Sequence, residues 1–271
     1  MPKMGRYNSS EISLNRIVSA IKSRVKDIPH TIAWQNDSGA QKNRESIQKY
    51  KGIYTGERCF IVANGPSLKK TNLELLNNEF TFGLNRIYLY FPKSSFRPTY
   101  YVAVNELILE QFNNEISDLQ MPKFVNWNRR AYFDPLNENI IYLKPKLVVT
   151  DVFQQDVSKP MVFGATVTYA ALQLAYYMGF QKVILIGLDH NYTEKGTPNS
   201  TEVRKNDLDE SHFDNQYFPK GIKWQLPDLM RADLDYSIAR KAFERDGREI
   251  VDATIGGKCS VFPKVDYLSL F

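Results

Sequence analysis

Short apolar runs alternate with segments of helical spacing from residue 58 to the end of the chain. The apolar runs cover residues 59–62, 80–85, 100–105, 123–127, 140–143, 182–189 and 248–252. Their lengths and the turn-forming residues around them are typical of buried strands. Helical segments are predicted between them at residues 72–77, 107–112, 167–178 and 233–245. This alternation predicts an α/β fold: a Rossmann-like, mostly parallel sheet with helices on both faces.

The first 50 residues follow a different pattern. Apolar residues recur at helical spacing from Ile12 to Ile28, with Lys and Arg between them. The pattern predicts an amphipathic helix that begins after a cap at Ser9 or Ser10 and ends near Pro29. A second, polar helix is expected at residues 41–51. We therefore expect an N-terminal helical extension, residues 1–50, before an α/β domain, residues 51–271. The apolar side of the first helix is expected to pack on that domain, with docking on a membrane or a partner as the alternative.

Composition and charge narrow the classes of protein that the chain can belong to. It has 271 residues, 43% of them hydrophobic, and a net charge of +5, which favours anionic ligands or an anionic membrane face. A nucleic-acid partner is not expected, because no basic run is interleaved with aromatic residues. Cys59 and Cys259 are expected to be reduced thiols. Without a signal peptide or an apolar run of bilayer length, the protein is expected to be cytoplasmic, either soluble or peripheral to the membrane.

Four predicted strands end in a small polar residue, namely Asn64, Asn85, Asn105 and Asp189. Ligands of open parallel sheets bind beyond the carboxyl ends of the strands, so these residues predict a binding crevice. A lone Asn at a strand end is usually only a turn residue.

The first strand runs into Asn64-Gly65-Pro66-Ser67. Gly65 can adopt a positive φ, Pro66 suits a first helical position, and Ser67 can cap a helix. Such a turn presents free backbone N–H groups, which suit a phosphate. An ordinary strand-to-helix turn is the alternative.

A long polar segment, residues 190–230, follows the sixth strand and is predicted to be a lid or binding loop. It contains His212, a candidate general base because imidazole titrates near neutral pH, although a loop histidine is often a surface residue. It also contains Asp207 and Asp209, whose spacing would suit Mg²⁺.

One ordered set of motifs resembles a known family. The motifs are Asn64-Gly65-Pro66-Ser67-Leu68, Leu84-Asn85-Arg86-Ile87-Tyr88, the helix–strand unit that ends at Asp189, and Ser211-His212-Phe213. Their order resembles the bacterial lipooligosaccharide sialyltransferases of glycosyltransferase family 42. The closing segment, residues 252–263, resembles more closely the MptE-like domain family, found in polysaccharide and flagellin-glycosylation proteins and in archaeal pterin diphosphokinases.

The resemblance implies a variant of the GT-A fold and a set of site residues. Carried over residue by residue, it implies that the nucleotide and its phosphate are held by Asn64, Gly65, Pro66 and Ser67. The donor would also be contacted by Asn85 and Asn105. Thr166 is a loose match to a donor-contacting segment, and Asp189 ends the strand beside the crevice. His212 would be the general base. Tyr192 would bond the departing phosphate, and Lys195, standing where the family has a second tyrosine, would serve the same group.

We therefore expect an inverting glycosyltransferase that moves a sugar, a CMP-activated nonulosonic or related sugar acid, to a surface-glycan acceptor. No cofactor besides the donor is expected. Contact with the inner face of the membrane and a homo-oligomeric state stay open. One alternative is a Mg²⁺-dependent 6-hydroxymethylpterin diphosphokinase, with Asp189, Asp207 and Asp209 as metal ligands. Another is a non-catalytic nucleotide-binding module.

Overall fold

The computed structural model of the protein describes residues 14–147, 151–192, 194 and 196–271. A parallel sheet of seven strands forms its centre, in the order β5-β4-β3-β2-β1-β6-β9. These strands are β1 (Arg58–Val62), β2 (Phe80–Leu84), β3 (Tyr100–Ala103), β4 (Lys123–Asn126), β5 (Ile140–Leu143), β6 (Lys182–Ile186) and β9 (Glu249–Asp252). The predicted Rossmann-like α/β fold is confirmed.

The strand order reverses beside β1, which lies between β2 and β6. The chain runs outward from β1 to β5 and then returns to add β6 and β9 on the other side. Such a reversal opens a crevice at the carboxyl ends of the two central strands, because their connections lead away in opposite directions. Asn64 follows β1 and Asp189 follows β6, so both lie at this crevice.

The helices are α1 (Leu14–Asn36), α2 (Ser38–Gln48), α3 (Glu106–Gln111), α4 (Asn113–Ser117), α5 (Val167–Met178) and α6 (Leu229–Arg245). Helix α5 matches its prediction, is buried from Thr168 onward and ends at Gly179, whose φ of +97° suits glycine. The helix predicted at residues 72–77 is instead a 3₁₀ segment, Leu73–Leu76. The helix that was expected to end near Pro29 continues to Asn36, because an interior proline can kink a helix without ending it.

The described chain divides after Lys42 into two compact units. Helix α1 belongs to the first unit, and its predicted cap at Ser9 and Ser10 lies outside the described residues. The expected burial of its apolar side is not observed, since Ile21 and Val25 are 54% and 58% exposed. None of the helices in the described ranges is both long and apolar enough to cross a bilayer.

The segment predicted as a polar lid is packed into the second unit, of which it is part. Phe213, Tyr217, Phe218 and Trp224 are buried in its main hydrophobic cluster. The segment also forms an antiparallel hairpin of β7 (Thr201–Val203) and β8 (Lys223–Gln225), which the sequence did not predict. The segment therefore forms a wall of the crevice and is anchored by its own aromatic side chains.

Candidate functional site

One cavity lies at the carboxyl ends of β1, β2 and β6, between the sheet and the 190–230 segment. It is lined by most of the residues that the sequence singled out: Asn64, Gly65, Asn85, Asn105, Thr166, Asp189, Tyr192 and His212. Pro66 and Ser67 lie in the turn that follows β1, and Lys195 lies outside the described residues. The structure thus brings side chains from the sheet edge and from the 190–230 segment together around one cavity.

The Asn-Gly-Pro-Ser turn makes its closest contacts with Asp189. The backbone N–H and the hydroxyl of Ser67 donate to the Asp189 carboxylate at 3.0 and 2.6 Å. Burial raises the pKa of Asp189, although these two bonds oppose the shift. A carboxylate therefore takes the place at this turn where the sequence predicted a phosphate, and the contact of Ser67 with a phosphate stays a prediction.

Gly65 is required here for space. Its φ is −69°, so the expected positive φ was wrong, and Ser67 lies inside the 3₁₀ segment Pro66–Lys70 and does not cap it. A Cβ on Gly65 would come within 1.9 Å of Asp189 Oδ2 and 2.7 Å of the Gly187 carbonyl. The glycine allows the ends of β1 and β6 to approach each other closely.

The asparagines at the strand ends have different tasks. Asn64 donates from Nδ2 to the Leu84 carbonyl at 2.9 Å and so joins the ends of β1 and β2. Asn105 accepts from two N–H groups at the start of α3 and donates to Gln225 Oε1 at 3.0 Å. Asn126, at the end of β4, likewise caps a 3₁₀ segment. Capping and strand linking explain much of the pattern.

Two of these amides have an oxygen without a partner among the residues that the structure describes. Asn64 Oδ1 and Asn85 Oδ1 are buried and accept no hydrogen bond within that part of the chain. Asn85 also adopts φ = +44°, a conformation that asparagine tolerates better than most residues. A buried carbonyl oxygen without a donor costs free energy, so a bound molecule with N–H or O–H groups would gain by supplying one.

His212 forms a buried pair with Asp209. Its Nδ1 lies 2.9 Å from Asp209 Oδ2, and its ring stacks on Tyr217 with centroids 3.9 Å apart and planes 2° apart. The Phe218 ring meets the imidazole edge-on at 5.3 Å. Because an ionised carboxylate can only accept, Nδ1 must carry the proton, and the basic lone pair of a neutral His212 is on Nε2.

Asp209 has further partners that keep it ionised. The Ser211 N–H donates to its Oδ1 at 3.0 Å, and an Arg204 nitrogen lies 3.9 Å away. Burial by itself would raise the pKa of Asp209, but the bond from His212 and the charges of His212 and Arg204 lower it overall. Arg204 is in turn paired with Glu194 at 2.6 Å.

A second imidazole lines the other side of the cavity. His190 follows Asp189 with φ = +54°, and its Nε2 lies 2.9 Å from Asp233 Oδ1 on α6. The Asp233 side chain is about half exposed. The Tyr236 ring lies 6.0 Å from His190, and its hydroxyl bonds to Thr166 at 3.0 Å. This pair therefore joins the end of β6 to α6.

Tyr192 lies beside His212, with ring centroids 6.1 Å apart. Burial, followed by the nearby charge of Asp209, raises the pKa of Tyr192 to about 12. The phenol therefore stays protonated at neutral pH and can donate a hydrogen bond.

Two members of the site escaped the sequence prediction in their present roles. Asp209 was considered only as a metal ligand, yet the three-residue spacing from Asp209 to His212 could have indicated the pair. Asp233 is more than 40 residues from His190 in the chain, and only the fold brings them together.

The carboxylates that a magnesium site would need do not converge. In the part of the chain that the structure describes, no group of three or more His, Cys, Asp or Glu side chains is arranged to hold a metal ion. Asp189 is bonded to Ser67 and Asp209 to His212. The residues predicted as magnesium ligands therefore do not fit that role.

A crevice lined by polar side chains at the reversal point of a parallel sheet defines the class: a Rossmann-like α/β protein with a candidate site between the sheet edge and a long connecting segment. The family model described as "6-hydroxymethylpterin diphosphokinase MptE-like" matches residues 36–195, more than half of the chain. The chain belongs to this MptE-like family. That part of the predicted resemblance is confirmed, and the likeness to family 42 stays a prediction.

Among solved structures, the chain is similar to the MAf glycosyltransferase from Magnetospirillum magneticum AMB-1. The TM-score is 0.51 at 14% sequence identity, over 85% of this chain. The match covers 39% of the MAf chain, so the present chain spans well under half of that protein. No curated protein matches the sequence. At this identity the likeness establishes the shared fold.

Proposed function

We propose that the protein is a glycosyltransferase, sialyltransferase-like, which transfers a CMP-activated nonulosonic or related sugar acid to a glycan hydroxyl. The observation that carries the proposal is the His212–Asp209 pair. It presents an imidazole to the cavity at the place in the fold where a nucleotide donor would bind. The fold shared with a glycosyltransferase and the ordered motifs support the same class.

The charges around the cavity favour a donor with one phosphate. Among the described lining residues, the groups that can be cationic are His190, His212 and Lys223, while Asp189 and Asp228 are acidic. A diphosphate would need more neutralisation than these groups supply. The unpartnered oxygens of Asn64 and Asn85 suit the amino and hydroxyl donors of a nucleoside.

His212 acts as the general base in this mechanism. As the acceptor oxygen attacks the anomeric carbon, Nε2 of His212 takes the hydroxyl proton, and Asp209 stabilises the imidazolium that forms. The bond between the anomeric carbon and the phosphate oxygen breaks with its electron pair on the phosphate. A single displacement of this kind inverts the anomeric configuration.

Two groups that line the cavity are assigned to the leaving phosphate. Tyr192 donates its phenolic hydrogen, because a pKa of about 12 keeps it protonated. His190, whose Nε2 faces Asp233, supplies a second donor from Nδ1 when its ring is protonated. Stabilising the charge that develops on the leaving group lowers the barrier to its departure. Lys195 is assigned to the same group as a proposal from the sequence.

Diphosphokinase activity is the second candidate, and the description of the matching family favours it. It would move a pyrophosphoryl group from ATP and would require carboxylates to hold Mg²⁺. Asp189 is bonded to Ser67 and Asp209 is paired with His212, and these separate contacts argue against that arrangement. A non-catalytic nucleotide-binding module is the third.

The test combines binding and transfer. The melting temperature is measured with CMP, UDP, GDP and ATP, with and without Mg²⁺, and transfer from a CMP-activated sugar acid is measured for the parent and for His212→Gln. We expect CMP to stabilise the protein without metal, and His212→Gln to lower kcat by about 10²–10⁴-fold with little change in CMP affinity.

Other outcomes separate the alternatives. Stabilisation by ATP only with Mg²⁺, with pyrophosphoryl transfer retained in His212→Gln, would establish the diphosphokinase. Nucleotide binding without any turnover would leave the non-catalytic module. Because His212 stacks on Tyr217, the variant's own melting temperature must match that of the parent before its kcat is interpreted.

A further inference from the structure

Helix α1 carries a continuous apolar stripe that is open to solvent. Val18, Ile21, Val25, Ile28 and Ile32 are each between 41% and 58% exposed. At 100° per residue these five side chains fall within a sector of roughly 80°, and the stripe is roughly 20 Å long. Singly scattered apolar residues on a surface are ordinary, but a continuous stripe marks an interaction surface.

Cations border the stripe on both sides. Lys22 and Arg24 are exposed and lie, by the same helical geometry, about 80° to either side of the middle of the stripe. Lys26 lies further round on the Lys22 side, and the acidic Asp27 lies on the far side of the helix. The helix therefore has an apolar centre with a basic residue on each border.

A second copy of α1 fits this stripe poorly. In a helix pair that buries it, Lys22 and Arg24 would occupy the positions beside the seam. A parallel pair would place the Arg24 border against the Lys22 border, and an antiparallel pair would place each border against itself. Both arrangements bring like charges together, whereas stable coiled coils pair opposite charges there. The exposed stripe also covers only about two heptads, which is short for a coiled coil.

An anionic lipid surface satisfies both features at once. The apolar side chains enter the boundary between headgroups and acyl chains, and the long Lys and Arg stems lie along that boundary with their charges at the phosphates. We infer that α1 lies in the plane of an anionic membrane, with its Val and Ile stripe inserted and with Lys22 and Arg24 at the lipid headgroups. The inference rests on α1 alone and is independent of the proposed enzymatic activity.

The experiment is cosedimentation of the full chain with vesicles of phosphatidylcholine alone and of phosphatidylcholine mixed with phosphatidylglycerol. We expect binding to the mixed vesicles, weakened by salt, and little binding to the neutral ones. Lys22→Glu with Arg24→Glu should lower the affinity for the mixed vesicles about tenfold or more. Ile21→Asp with Val25→Asp should abolish binding, with no change in melting temperature, because these side chains are exposed.

The matched control is Lys49→Glu with Lys51→Glu, which makes the same change of charge at two exposed lysines outside α1. It should bind within about twofold of the parent. Equal loss in this control, or equal binding to both kinds of vesicle, would overturn the inference. Absence of binding would also overturn it. If sedimentation equilibrium then found an oligomer that Ile21→Asp dissociates, the stripe would belong to a second copy of the chain.

Discussion

The two imidazole–carboxylate pairs of the cavity use the same chemical groups in different surroundings. In the first pair, His212 and Asp209 lie three residues apart on one segment, and the carboxylate is almost fully buried. In the second, His190 and Asp233 come from different elements, and the carboxylate is half exposed. Asp209 is also near Arg204, so its negative charge is shared between an imidazole and a guanidinium.

The difference suits the two pairs to different tasks. A buried carboxylate that is already balanced by an arginine orients His212 and fixes its tautomer, which a general base requires. Asp233 is more exposed to solvent, and in the proposed mechanism its pair with His190 lies beside the leaving phosphate. The proposed mechanism therefore assigns the base to the first pair and the leaving-group contact to the second.

The largest effect should come from breaking the first pair. In Asp209→Asn the side-chain amide can donate as well as accept, so it no longer fixes the proton of His212 on Nδ1. It also lacks the negative charge that stabilises an imidazolium. We expect kcat for sugar transfer to fall by about 10²–10³-fold, with nucleotide affinity nearly unchanged. Steady-state kinetics and calorimetric titration with CMP measure the two quantities.

Asp207→Asn is the matched control, since Asp207 is two positions away and exposed. It should keep the parental kcat. If both substitutions abolish activity, and if the parent requires Mg²⁺, the two aspartates act together as metal ligands and the pair with His212 is not the cause.

The second pair should show its effect in phosphate recognition. His190→Asn removes the imidazole while retaining a residue type that tolerates positive φ. We expect the affinity for CMP to fall about tenfold, while the affinity for cytidine, which lacks the phosphate, stays within about twofold. Calorimetric titration of both ligands provides the comparison.

His212→Gln is the control for this measurement, because it should leave the preference for CMP over cytidine as it is in the parent. If His190→Asn keeps the preference, His190 does not contact the phosphate, although the glycosyltransferase proposal would stand. If the parent itself does not distinguish CMP from cytidine, the proposed donor is wrong.

Most of the fold could be predicted because it depends on local patterns. Strand β5 and helix α5 have the predicted bounds, since continuous apolar runs and a C-terminal glycine mark them clearly. The β7–β8 hairpin could not be predicted. Its strands have three residues each. β7 is exposed throughout, and β8 alternates over three residues only, which is too short a run to identify a strand.

The candidate site could be predicted less well, because its contacts join distant parts of the chain. The sequence indicated His212 and the strand-end asparagines by residue type and position. It could not indicate that Asp189 would occupy the turn at Ser67, or that Asn105 would be engaged with α3 and Gln225. Both contacts depend on the distances between elements, and the residue types at the strand ends do not determine those distances.

The smallest expected effect is on cytidine affinity, and it distinguishes an asparagine with an unpartnered oxygen, Asn85, from one that caps a helix, Asn105. Asn85→Gly accommodates the positive φ and removes the unpartnered oxygen, so cytidine affinity should fall by about 2- to 10-fold, the worth of one neutral hydrogen bond. In Asn105→Ser the serine still caps α3, so cytidine affinity should be unchanged. Titration with cytidine measures both.

A greater loss in Asn105→Ser than in Asn85→Gly would mean that the nucleoside lies against α3, further from the ends of β1 and β2 than proposed. The His190 and His212 pairs would then have to be assigned again from that position.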